Sequence, residues 1–85
     1  MNCKQFNSIK LEEILFSLGN LPTRQNEKDA WCLNPFGTET EASFKINLVK
    51  NKWYLFSEGI GGNNIDFVKK YFNFSLSEIL DWASR

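Results

Sequence analysis

Eighty-five residues and 9.9 kDa allow a single domain, read here as 1–85. Ten Lys plus Arg balance ten Asp plus Glu, so bulk charge alone cannot bind nucleic acid or membrane, and any such binding needs a local patch. Two Cys and no His exclude a four-ligand Cys/His zinc site, a multi-disulfide scaffold and every His-dependent catalytic arrangement.

The start, Met1 to Phe6, lacks the apolar core of a secretion signal, and no stretch is long enough to span a membrane. The expectation is cytoplasmic residence, with Cys3 and Cys32 as free thiols. The spacing predicts a first helix over 9–18, because Leu11, Ile14, Leu15 and Leu18 form one apolar stripe. Ser8 is its expected N-cap and Gly19 its C′ residue. Residues 20–29 are polar, contain Pro22 and read as a loop. Ala30 to Leu33 can form a short strand, followed by a turn over 34–38.

Residues 43–48 alternate, with Phe44, Ile46 and Leu48 on one face. Residues 49–51 make a turn into a second strand over 52–57, where Trp53 and Leu55 point one way and Tyr54 and Phe56 the other. Gly59, Ile60, Gly61 and Gly62 read as a bend. Asn63 caps a second helix with Asp66 as its partner, and Ser75 with Glu78 forms a capping box for a third. The sum is a small α+β domain: an antiparallel hairpin or sheet flanked by three helices.

Three places could carry chemistry. The acids Glu39, Glu41, Asp66 and Glu78 are scattered through a loop and helix starts, so no catalytic residue is assigned. The turn Gly61-Gly62-Asn63 precedes a helix and could offer N–H groups to a phosphate, or its glycines could simply let the chain turn. Lys45, Lys50, Lys52, Trp53 and Tyr54, joined by Lys69 and Lys70, mix cations with rings as single-stranded nucleic-acid sites do. A solvated outer sheet face would read the same way. Alternation forbids Trp53 and Tyr54 from sharing one core face.

The segment from Asn34 to Phe67 resembles the N-terminal zinc-binding domain of bacterial DNA primases. That family reads Cys-Pro-Phe-His-x-Glu-x-x-Pro-Ser-Phe, then a hairpin, then Cys-Phe-Gly-Cys-Gly-x-x-Gly-x-x-Ile-x-Phe. Here Pro35, Phe36, Glu39, Ser43, Phe44, Phe56, Gly59, Gly62, Ile65 and Phe67 match. The four ligand positions hold Asn34, Gly37, Leu55 and Glu58 instead. The resemblance therefore implies a zinc-ribbon-like fold without metal or other cofactor, similar to the zinc-less primase modules of mobile elements and phages.

By the same resemblance the implied role is a non-catalytic accessory module that engages single-stranded template DNA during primer synthesis. It would work with a separate Toprim polymerase domain, within a larger protein, or with a replicative helicase. The alternative is a protein-interaction module that kept the scaffold and lost DNA binding.

Overall fold

The computed structural model describes residues 2–37 and 42–84. The elements run α1 (Cys3–Asn7), α2 (Leu11–Ser17), β1 (Arg24–Gln25), β2 (Asp29–Cys32), β3 (Phe44–Asn47), β4 (Lys52–Leu55), β5 (Ile60–Gly62), α3 (Asn64–Phe72) and α4 (Leu76–Ala83). The strands form one antiparallel sheet in sequential order, β1-β2-β3-β4-β5. The α+β class holds. Thr38, Glu39 and Glu41 lie outside the described residues.

The hairpin pairs as the alternation requires, with Phe44 opposite Leu55, Lys45 opposite Tyr54 and Ile46 opposite Trp53. Ala30, Cys32, Phe44, Ile46, Trp53 and Leu55 form the inner face and are buried. Helices cover that face: Phe67 of α3 meets Phe44 and Trp53 with ring centroids at 5.8 and 6.2 Å. Phe6, Leu11, Leu15 and Ile79 complete the core from the other helices.

Three expectations are corrected. The helix foreseen over 9–18 forms as the shorter α2, Leu11–Ser17, and a further helix, α1, precedes it, so that Ser8 is the C-cap of α1 instead of an N-cap. Four helices, not three, therefore flank the sheet among the described residues. The break is imposed from a distance: Asn51, in the β3–β4 turn, accepts the Leu11 N–H at 2.8 Å and donates to the Ile9 carbonyl at 2.7 Å. The loop over 20–29 contains β1 and ends in β2, because Thr23 and Asn26 donate backbone N–H groups to Trp31 and Asp29. The glycine bend is β5, paired with β4 through Trp53–Gly62, Tyr54–Gly61 and Leu55–Ile60.

The caps of α3 and α4 form as foreseen. Asn63 and Asp66 bond reciprocally, each at 3.0 Å, and Ser75 and Glu78 do likewise at 3.1 and 3.3 Å. Gly19 takes φ +84 just beyond α2, as a C′ residue does.

Candidate nucleic-acid interface

Among the described residues no helix covers the outer face of the sheet. One cross-strand row runs over all five strands: Arg24, Trp31, Lys45, Tyr54 and Gly61, each the register partner of the next. Neighbours two pairs along add Asp29, Asn47 and Lys52. Strand pairing places these side chains on one surface by parity alone, since residues opposite each other share a face.

The rings on this surface touch. Trp31 stacks on Phe56 at 5.5 Å with 19° between planes, and Tyr54 meets Phe56 edge-on at 4.8 Å. Arg24 and Lys45 hold their charges over the Trp31 ring at 5.1 and 5.6 Å. Lys45 is also 3.4 Å from the Asp29 carboxylate. Tyr54 and Phe56 remain exposed at 42% and 53%, which is unusual for rings in contact with a sheet. A shallow depression of about 260 Å³ lies among Lys45, Asn47, Lys52, Trp53, Tyr54 and Phe56. Together these supply π-faces for bases and cations for phosphates on one open surface.

Gly61 keeps the surface flat. A Cβ there would stand 2.5 Å from the Trp53 carbonyl oxygen and 3.0 Å from the Tyr54 ring, so the tyrosine can lie down over the glycine.

The candidates from the sequence divide between places. Lys45, Lys52 and Tyr54 belong to the row and its rim, and Lys50 is exposed in the adjoining β3–β4 turn. Trp53 lies inside, 4% exposed, with its indole N–H donated to the Asn63 carbonyl at 2.8 Å. It cannot present a ring to solvent. Lys69 and Lys70 lie on α3, in the layer that covers the opposite face.

The turn of Gly61, Gly62 and Asn63 is occupied by the chain itself. The N–H groups of Asn63, Ile65 and Asp66 are donated to Asp66, Asn7 and Asn63 side chains. A Cβ on Gly62 would stand 2.3 Å from the Asp66 carboxylate, so this glycine makes room for the cap.

Trp31, Phe56 and Arg24 escaped the site reading. Their signal was present: Trp31 alternates with Ala30 and Cys32, and Phe56 shares the parity of Tyr54.

The CHC2 zinc-finger model matches residues 4–84, nearly the whole chain. The chain belongs to the CHC2 zinc-finger family. A DNA primase of Helicobacter pylori strain J99 is 34% identical over 74 residues, which is 87% of this chain and 13% of the primase. The DNA primase of H. pylori strain 26695 is 32% identical over the same extent. The chain thus spans about an eighth of the curated relatives it matches. No solved structure matches it. These findings make it a primase-associated module of the CHC2 type.

The CHC2 metal does not fit this member. Zinc takes thiolate, imidazole or carboxylate donors, usually four. The ligand positions supply a carboxamide at Asn34, no side chain at Gly37, an alkyl group at Leu55 and one carboxylate at Glu58. Asn34 Oδ1 is engaged by the Phe36 N–H at 2.9 Å, Leu55 is fully buried, and Glu58 pairs with Lys70 at 3.5 Å. Among the described residues no group of three or more His, Cys, Asp or Glu could hold a metal. No helix there is long and apolar enough to cross a membrane.

Proposed function

We propose that this domain is a non-catalytic, single-stranded-DNA-binding module of a primase-type protein, and that template DNA lies across the outer sheet face. The observation that carries this reading is the row Arg24-Trp31-Lys45-Tyr54, with Phe56 stacked beside it on a face that no helix covers among the described residues. Bases would stack on Tyr54, Phe56 and the open part of Trp31, while Arg24, Lys45 and Lys52 meet phosphates. Primer synthesis would belong to a separate Toprim domain, with a replicative helicase as a further partner.

Of the three tryptophans only Trp31 lies on this face, so a single-stranded oligonucleotide should quench emission through Trp31 alone. Trp31→Phe should abolish most of the quench while retaining binding measured by anisotropy. Binding that persists undiminished in a Tyr54→Ala, Phe56→Ala variant would remove the face from the site.

A second reading has its own observation. Phe16 and Leu21 are 68% and 60% exposed, and Phe16 lines a groove of about 330 Å³ with Pro22, Glu12 and Glu13. Such a surface suits a protein partner. Absence of oligonucleotide binding at moderate salt would favour it.

A further inference from the structure

The four CHC2 ligand positions lie at two turns, Asn34–Gly37 after β2 and Leu55–Glu58, which starts on the last residue of β4. A structural zinc joins such turns by bonding to both. Here each turn closes on its own backbone: the Gly37 N–H reaches the Asn34 carbonyl at 3.4 Å, and the Glu58 and Gly59 N–H groups reach the Leu55 carbonyl at 3.3 and 2.9 Å. Phe36, between the first two positions, packs on Trp53 and Phe67 at 5.6 and 5.2 Å. Leu55 is paired with Phe44 and is fully buried.

A cation reaches both turns. Lys70 of α3 holds its ammonium 5.1 Å from the Phe36 ring centroid and 3.5 Å from Glu58 Oε1. We propose that Lys70 stands in for the metal as the cation joining the two turns, and that this CHC2 domain folds without zinc. The chemistry is matched to the residues: a π-face in the first turn and a carboxylate in the second both attract one ammonium. Charge is balanced as well, since Glu58 is the one charged group among the four positions. The link is carried by the chain, so neither chelators nor thiol oxidation can remove it.

The test uses the purified chain, its metal content and its thermal midpoint. Wild type should carry well under one equivalent of zinc, and its Tm should not move with a strong chelator or with added zinc. Copurification of one equivalent, or a Tm that falls on chelation, would overturn metal-free folding. Lys70→Met keeps the stem and loses the charge, and Glu58→Gln neutralises the other side. Each should lower Tm by roughly 2–6 °C, and the double variant should fall no further than the larger single effect. Lys70→Arg should stay close to wild type. Both neutral variants lie on exposed or half-exposed side chains and leave the core intact, so a Tm unchanged in both, or two effects that simply add, would overturn the link.

Discussion

Asn51 shows how much one polar side chain can organise. It sits in the left-handed region at φ 55, where Asn is among the few side chains tolerated. Lys10, the N-cap of α2, offers no side-chain acceptor, so Asn51 caps the helix from outside and also donates to the Asn7 and Ile9 carbonyls. Asn64, fully buried, donates to the same Ile9 carbonyl at 2.7 Å and so ties α3 to the same corner. Asn51→Ala should cost about 2–3 kcal/mol by denaturant unfolding, from orphaned groups and backbone strain together. Asn51→Gly relieves only the strain, so it should recover no more than about 1 kcal/mol of that. Equal stability of wild type and Asn51→Gly would deny the hydrogen bonds any role. Cys32 supplies a pH test. Burial pushes its thiol above the ordinary value. The folded chain holds this proton more tightly than the unfolded one, so the contribution is intact below the unfolded thiol pKa and is lost as pH rises through the folded value. Stability should therefore decline on the alkaline side, and Cys32→Ala should flatten that limb. A thiol reagent should label Cys3 first and Cys32 only on unfolding.

At the scale of elements, β5 is the instructive strand. Glycines are poor strand formers, and Gly-rich runs normally read as turns. Gly61 and Gly62 are in the strand because neighbours occupy the space where Cβ atoms would be: the Trp53 carbonyl and Tyr54 ring at one, the Asp66 carboxylate at the other. Gly61→Ala meets a backbone atom that cannot yield, and should cost about 1–3 kcal/mol while detaching β5 from β4. Gly62→Ala meets a side chain that can rotate away, so it should break the α3 capping box instead. Asp66→Ala should then cost about 1 kcal/mol in wild type and much less in the Gly62→Ala background, a non-additivity read by a double-mutant cycle. The same contrast explains what the sequence disclosed. The hairpin register, both capping boxes and the inward turn of one of Trp53 and Tyr54 depend on local periods and spacings, and these are legible. The break between α1 and α2 depends on Asn51 and Asn64, distant in the chain, and β5 depends on what crosses above it. Neither leaves a local pattern. In the candidate site, Lys45, Lys52 and Tyr54 were legible through alternation, whereas Lys69 and Lys70 followed their partners in sequence but not in space.

For the whole molecule, the neutral total charge conceals a division between layers. The sheet buries one face beneath the helices and leaves the other open, with Arg24, Lys45 and Lys52 beside Trp31, Tyr54 and Phe56. Lys4, Lys69 and Lys70 belong to the helical layer. If single-stranded DNA follows the open face, cations from the two layers must differ in how they affect salt dependence, because only groups that meet phosphate displace counterions. The slope of log K against log salt should become shallower by roughly 0.7 for each of Arg24→Ala and Lys52→Ala. Lys45 is partly neutralised by Asp29, so Lys45→Ala should give a smaller change, and Asp29→Asn should strengthen binding by releasing that lysine. The pair Lys4→Ala, Lys69→Ala should leave the slope unchanged. Trp31→Ala should weaken binding by about 1–3 kcal/mol at every salt concentration with little effect on the slope, since stacking releases no counterions. A slope that responds equally to both layers would mean that DNA is held by diffuse charge, and the ordered row on the sheet would then not be the binding site.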